Sequence, residues 1–323
     1  MEQKTLFKIP KIIEEVEIYH DEVCEGEKDE RRPFGHQFLV IPTRSKDIFN
    51  EILMNERKLC GADGFTINWK KLPDMTGSRN KTANRWLRWL SEAMYLKPVS
   101  YPLDREEILC SKEPLGIKIG SFFINSMSEM SDNFWIHVER NEDKTKEKYE
   151  TLLRMGVQGL LHYCFNPDYT GYEKVRVKKF YTDGEVFGAV PLNARKIIYK
   201  LEQRARKYIE ISPNIEISPV LKSKEKTAEV NFEELTDLVL GSTHYLYKNE
   251  REEWKDKIIE PIEDIYKKVR RDKVGFTSSP HFRTFTVGYC ERNENGDLVP
   301  KNWRIQTAQY QDASEIQPRL TLC

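Results

Sequence analysis

The sequence lacks the cysteine and histidine spacings that are typical of structural metal sites or disulfide frameworks. Its six cysteines are scattered without a Cys-x-x-Cys pair, and its six histidines are equally dispersed. These spacings exclude the common structural zinc sites. In a lysine-rich chain of 323 residues they also favour reduced thiols over disulfides, so we expect a soluble protein of the cytoplasm.

Long apolar runs are absent as well. No segment approaches the ~20 apolar residues that a transmembrane helix requires, so we expect no membrane partner. The first ten residues, Met1 to Pro10, contain no apolar segment of the kind found in signal peptides. The sequence also contains no internal repeat and no low-complexity tract.

Neither sign of charge is in excess, because 52 basic residues balance 52 acidic ones. This balance argues against a strongly basic surface that would coat nucleic acid without specificity. It still allows a local basic channel, since the field near a cleft depends on how charges are distributed rather than on their sum. The hydrophobic fraction of 39% is sufficient for a proper core.

The hydrophobic pattern predicts an antiparallel hairpin followed by alternating helices and strands. The predicted strands cover about 16–24, 35–42, 65–72, 116–125, 174–182, 215–221, 282–289 and 303–309. The predicted helices cover about 45–59, 82–95, 144–165, 192–208, 232–247 and 254–269. This order is typical of an α/β fold in which helices flank both faces of a mixed sheet. We expect one domain over residues 1–271 and a C-terminal β-hairpin extension over 272–323, with its turn at 293–297.

Three aspartates lie in or next to predicted core elements, where a charge seldom lies without a partner; for Asp183, which Gly184 follows, a solvated turn is the alternative interpretation. Asp21 lies in the alternating segment 16–24, Asp183 follows the alternating segment 175–182, and Asp237 interrupts the apolar helix segment 232–241. Desolvating a carboxylate in a core is costly unless something pairs with it. A shared divalent cation, bound by hard oxygen ligands, would explain all three, and it indicates a metal-dependent enzyme that cuts phosphodiester bonds. His20 and Glu22 should face away from Asp21, because successive side chains alternate along a strand.

Three segments resemble the family catalogued as domain of unknown function 3800, whose members look like RNase H-type folds. Tyr19-His20-Asp21-Glu22 resembles the end of that family's first core strand, and Phe180-Tyr181-Thr182-Asp183 resembles the end of a later strand. The third segment, Val220-Leu221-Lys222-Ser223-Lys224 with the helix Glu234-Leu235-Thr236-Asp237-Leu238-Val239-Leu240-Gly241, resembles its closing strand, Ser-Lys loop and final helix. The likeness spans roughly residues 14–250.

The resemblance implies an RNase H-like nuclease. In such a site, carboxylates from the first strand, a neighbouring strand and a late helix converge at one end of the sheet and hold two Mg²⁺ or Mn²⁺ ions. We expect Asp21 to bridge the two ions, with Asp183 and Asp237 each completing one of them. Glu234, one turn before Asp237, and Glu185 are reserve ligands.

Basic residues could contribute a substrate groove for nucleic acid. Arg79 and Lys81 lie where a helix begins, and backbone N–H groups at such a position already favour phosphate. Lys222 and Lys224 lie in the loop before the helix of Asp237, where a phosphate clamp would assist. For Arg79 and Lys81, a solvated helix face is the alternative interpretation.

Two other functions remain open. The chain could be a degenerate RNase H-like module that binds nucleic acid or protein without cutting, because Asn68 stands where the family usually has an acidic residue or histidine. It could also be a subunit that is active only in a larger complex. The sequence does not distinguish RNA from DNA, and it leaves a protein partner or a homo-oligomer open.

Overall fold

The computed structural model describes residues 12–25, 32–72, 77–94, 98–102, 108–124, 141–168, 170–183, 194–220, 225–248, 252–271, 285–292 and 298–300. The strands within these residues are β1 (Ile12–Glu25), β2 (Arg32–Pro42), β3 (Ser100–Pro102), β4 (Ile108–Cys110), β5 (Lys118–Ile124), β6 (Tyr172–Asp183), β7 (Ile209–Ile211), β8 (Ile217–Val220), β9 (Phe285–Arg292) and β10 (Leu298–Pro300). The α-helices are α1 (Lys46–Leu59), α2 (Ser78–Ala93), α3 (Asn141–Phe165), α4 (Ala194–Arg204), α5 (Ala228–Lys248) and α6 (Glu253–Arg271). Short 3₁₀ turns occupy Thr43–Ser45 and Trp69–Lys71.

The main sheet is mixed and has the strand order β10-β9-β5-β2-β1-β6-β7, with β8 also paired to β6. β1 and β2 form the predicted antiparallel hairpin, β2 pairs antiparallel with β5, and β6 runs parallel to β1 on its other side. The structure therefore confirms the predicted mixed sheet, and its central strands are β2, β1 and β6. β3 and β4 form a separate two-stranded sheet.

Helices cover both faces of this sheet, and the alternation along β1 sets which residues meet which helices. Val16 and Ile18 pack in a core with α3 and α4, whereas Tyr19 packs in a second core with α1, α2, α5 and α6. Because successive side chains of a strand point to opposite faces, Asp21 lies on the face of Tyr19, and His20 and Glu22 lie on the face of Ile18. The prediction that His20 and Glu22 face away from Asp21 agrees with this arrangement.

The predicted strand over 65–72 is wrong, because a 3₁₀ turn lies there instead. The side chain of Asn68 accepts a hydrogen bond from the backbone N–H of Lys70 at 3.1 Å, which closes the chain locally at Trp69–Lys71. A short polar side chain that bonds to nearby backbone in this way competes with strand pairing. The residues of this segment therefore form a loop over α5, and the main sheet is complete without them.

The C-terminal segment contributes to the same sheet. β9 pairs in parallel with β5, from Ile119 opposite Phe285 to Ile124 opposite Cys290. β10 pairs antiparallel with β9, close to the predicted turn at 293–297, and the predicted strand at 303–309 lies outside the described residues. None of the described helices combines the length and the apolar character that crossing a membrane would require.

Candidate metal centre

Three buried carboxylates meet at one end of the sheet, on the face covered by α5. β1 and β6 run parallel with His20 opposite Thr182, so the next residues, Asp21 and Asp183, lie side by side. α5 packs across β1 and brings Glu233 to the same place. One carboxylate oxygen from each of Asp21, Asp183 and Glu233 lies within 4.8 Å of the others, and the residues are only 5%, 7% and 2% exposed. We call these three residues the acid cluster.

The electrostatics of the acid cluster disfavour negative charge on Asp21. Burial raises the pKa of Asp21 well above its ordinary value, and the neighbouring charges of Asp237, Glu22, Glu233 and Asp183 raise it further. The Oδ1 atom of Asp21 accepts one hydrogen bond, from the backbone N–H of Glu22 at 2.8 Å. A proton on Asp21, or a cation beside it, would relieve this repulsion.

The chemistry of the donor set fits a hard divalent cation. Mg²⁺ and Mn²⁺ favour oxygen ligands, and a few carboxylates complemented by water and substrate phosphate suffice for a magnesium site. Asp21, Asp183 and Glu233 supply such oxygens from three different elements of the fold. The acid cluster could therefore hold a metal ion, as the sequence predicts for Asp21 and Asp183.

Asp237 lies one turn after Glu233 on α5 and is held by the loop that contains the Trp69–Lys71 turn. Its Oδ2 atom accepts the backbone N–H of Trp69 at 2.6 Å, and its Oδ1 atom accepts the Nδ2 amide of Asn68 at 3.3 Å. The four-residue step from Glu233 places Asp237 on the same side of the helix, and the charge of Asp237 contributes to the raised pKa of Asp21. The structure thus brings Asp237 beside the acid cluster.

Glu234, the predicted additional ligand, lies in a different environment from its neighbour Glu233. Its carboxylate accepts a hydrogen bond from Arg57, which is fully buried, and its Oε1 atom lies 2.8 Å from Nζ of Lys226. Arg57 also donates to Oδ1 of Asn231 at 2.9 Å. These contacts pair Glu234 with two cations of the protein, and Glu233 takes the position in the acid cluster that the sequence analysis assigned to Glu234.

The sequence offered one signal for Glu233, which is its spacing of four residues before Asp237. A step of four residues restores the same side of a helix as well as a step of three does. Both Glu233 and Glu234 therefore fit the spacing, and the spacing alone does not distinguish them.

The predicted substrate-binding residues are only partly described. The guanidinium of Arg79 lies 4.8 Å from the centroid of the Phe65 ring, and Lys81 is exposed in the first turn of α2. Both residues thus occupy the N-terminal part of α2, as predicted. Lys222, Lys224 and the reserve ligand Glu185 lie outside the described residues.

The opposite face of the sheet carries a buried histidine pair at the same end. Nδ1 of His20 lies 2.9 Å from Oγ1 of Thr182, and Nε2 of His20 lies 2.9 Å from Nδ1 of His36. Burial lowers the pKa of His36 to about 3 and lowers the pKa of His20 well below its ordinary value. Both rings are therefore neutral near pH 7. Beside them, the hydroxyl of Tyr149 donates to Oε2 of Glu22 at 2.7 Å.

Comparison with known proteins provides no relative for the chain. No family model, no curated protein and no solved structure matches it. The candidate site consequently rests on its geometry, in which β1, β6 and α5 bring three buried carboxylates together and the Asn68–Trp69 loop holds a fourth beside them.

Proposed function

We propose that the protein is a nuclease of the RNase H-like type that uses Mg²⁺ or Mn²⁺ to hydrolyse phosphodiester bonds in RNA or DNA. The main support is the meeting of Asp21, Asp183 and Glu233 within 4.8 Å, on two adjacent parallel strands and a helix packed over them. This is the combination of elements that the resemblance to domain of unknown function 3800 implies: a first strand, a neighbouring strand and a late helix.

The acidic residues of the site would hold the cations, and the basic residues would contact the nucleic acid. Asp21 would bridge two cations, with Asp183 and Glu233 completing one position and Asp237 the other. Bound there, the cations would activate water for attack and stabilise the leaving oxygen. The burial of the three clustered carboxylates keeps bulk water away and strengthens their hold on positive charge. Arg79, Lys81, Lys222 and Lys224 remain the proposed contacts to nucleic-acid phosphates.

The first test is a cleavage assay with purified protein and labelled single-stranded RNA and DNA, the two duplexes and the hybrid. Each substrate is incubated with Mg²⁺, Mn²⁺ or EDTA, with wild type, Asp21→Asn and Asp183→Asn. We expect metal-dependent cleavage that falls by about 100-fold or more in both variants, because losing a ligand removes several kcal/mol of transition-state stabilisation. Asp63→Asn, a change at an exposed position, is the matched control and should cleave like wild type. Wild-type rates in Asp21→Asn would refute the assignment of the site.

A binding module that does not cut is the second candidate. The observation that favours it is the contact between Asn68 and Asp237, in which Asn68 donates an N–H group and supplies no further carboxylate. A degenerate site of this kind should show no rise in melting temperature with Mg²⁺ or Mn²⁺, whereas a functional site should. A purified protein that binds metal but cleaves none of the substrates would instead favour a subunit that needs a larger complex.

A further inference from the structure

One tryptophan makes three contacts along the same side of α5, beside the acid cluster. The backbone N–H of Trp69 donates to Asp237, and the Trp69 ring lies against Gly241, one helical turn later. Tyr245 follows after another turn, and its ring centroid lies 6.0 Å from that of Trp69. A single residue of the loop is thereby fixed at Asp237, Gly241 and Tyr245.

Gly241 is necessary for this arrangement because it has no Cβ atom. A Cβ at position 241 would overlap Cγ, Cδ1 and Cδ2 of the Trp69 ring. With any larger residue, Trp69 would have to shift, and its backbone N–H would shift with it. Close packing at Gly241 therefore determines where the donor to Asp237 lies.

Asn68 adds a second donor and also stabilises the turn. Its Nδ2 atom donates to Oδ1 of Asp237 at 3.3 Å, while its own Oδ1 atom accepts the N–H of Lys70. Each of the two oxygens of Asp237 thus accepts a hydrogen bond from the Asn68–Trp69 loop, and the two bonds together fix the orientation of the carboxylate.

We propose that Asn68 and Trp69 are positioning residues that fix the Asp237 carboxylate for a second divalent cation, shared with Asp21. This inference rests on the proposed function and extends it by naming the groups that orient the ligand. Hydrogen bonds to a ligating carboxylate orient it in many metal sites, and removing such a partner typically weakens metal binding by about 10–100-fold. Asp237 lies one helical turn after Glu233, a member of the acid cluster, and this spacing supports a position for Asp237 next to the cluster.

Titration with Mn²⁺ alone tests the proposal without any substrate. Stoichiometry and dissociation constants are measured by electron paramagnetic resonance of free Mn²⁺ and by calorimetry, for wild type and Gly241→Ala. We expect two ions in wild type, and in Gly241→Ala a first ion of unchanged affinity with a second ion bound at least about 10-fold more weakly. Gly159→Ala is the matched control, since nothing lies within 4 Å of a Cβ built at that helical glycine. It should bind both ions like wild type.

Asn68 provides a second pair of variants if Gly241→Ala fails to fold. Asn68→Ala removes the donor and the turn contact, so the second ion should bind at least about 10-fold more weakly. Asn68→Asp keeps the acceptor for Lys70 but loses the donor to Asp237, so the second ion should bind more weakly in this variant as well. If Asn68 only closed the turn, Asn68→Asp would bind both ions like wild type and Asn68→Ala alone would lose the second ion. Asn55→Ala, at an amide that bonds only to its own helix among the described contacts, is the control.

The possible failures are distinguishable. Fewer than two Mn²⁺ ions in wild type, or wild-type binding of both ions in Gly241→Ala and Asn68→Ala, would overturn the positioning role even if wild type cleaves nucleic acid. Selective loss of the second ion in these variants would support it even if wild type cleaves none of the substrates, in which case the nuclease proposal alone would fail.

Discussion

Two buried acidic regions lie on the same face of β1, and their surroundings differ in charge. Glu17 lies 2.9 Å from Nζ of Lys46 and 3.7 Å from Nζ of Lys179, and it accepts a hydrogen bond from the hydroxyl of Tyr19. Asp21 lies four residues later, where the neighbouring charges of Asp237, Glu22, Glu233 and Asp183 all raise its pKa. The protein thus neutralises one region with its own lysines and gathers further acids around the other.

The stacked rings of Tyr19 and Tyr181, whose centroids are 4.9 Å apart, lie between the two regions along β1 and β6. The same two strands, β1 and β6, therefore contribute to both environments. A buried acid paired with lysines contributes to the fold, whereas a group of buried acids costs stability until a cation arrives. The contrast agrees with our proposal that the acid cluster holds a cation.

The largest change in stability that we predict from this contrast follows the removal of a lysine beside Glu17. Lys46→Met should destabilise the protein by about 3 kcal/mol, because it leaves the buried Glu17 carboxylate without its closest cation. Urea unfolding measures the change. Lys257→Met, which breaks the exposed pair with Glu253, should cost less than about 0.5 kcal/mol. Equal effects of the two substitutions would show that Glu17 needs no internal partner.

The pH dependence of stability separates the acid cluster from the histidines on the opposite face. The pKa of His36 is about 3 in the folded protein and about 6.5 when unfolded, so the unfolded chain binds the proton first as pH falls. His36 therefore destabilises the fold progressively between pH 6.5 and 3, by about 2 kcal/mol at pH 5. The raised pKa of Asp21 acts in the opposite sense, since the folded state takes up that proton first.

Urea unfolding in EDTA at pH 7 and pH 5 tests these signs. His36→Gln should lose about 2 kcal/mol less stability than wild type over this interval. Asp21→Asn should lose more than wild type, because it removes the group whose protonation favours the fold. The same loss in all three proteins would contradict both assignments.

A smaller effect concerns Asp21 at neutral pH without metal. Asp21→Asn should raise stability by about 1 kcal/mol, since it removes one of several mutually repelling buried charges. Adding Mn²⁺ should stabilise wild type more than Asp21→Asn. At about 100 times its dissociation constant, Mn²⁺ should stabilise wild type by about 2.7 kcal/mol. Asp21→Asn should lose most of this gain, and thermal unfolding measures both quantities. Greater instability of Asp21→Asn in EDTA would mean that the acid cluster is not under repulsion.

The strands and the faces of their side chains could be predicted from the sequence, because alternation along a half-buried strand is a local property. This alternation predicts the segments of β1, β2 and β6, and it predicts that the side chains of Asp21 and His20 lie on opposite faces of the sheet. The parallel pairing that aligns Asp21 with Asp183 joins segments far apart in sequence, and only the resemblance suggested that these residues converge.

The choice between Glu233 and Glu234 could not be predicted, since α5 is buried on nearly all sides. A helix that is buried on nearly every side, with polar residues among the buried ones, gives little periodic signal that tells one face from another. The partner that withdraws Glu234, Arg57, lies 177 positions away in the sequence. The 3₁₀ turn at Trp69–Lys71 could not be predicted either. A hydrogen bond from the backbone N–H of Lys70 to the side chain of Asn68 closes this turn, although the surrounding residues have a pattern typical of a strand.

The pairing of β5 with β9 has a consequence for the order in which the fold assembles. Ile119 is synthesised long before its partner Phe285, and at ~5–20 residues per second the interval is roughly 10–30 s. During that time β5 is an open edge with unpaired backbone groups, a form that readily recruits other strands. Nascent chains that have not yet delivered β9 should therefore depend on chaperones, and truncation before residue 285 should promote aggregation even though the acid cluster lies elsewhere in the sheet.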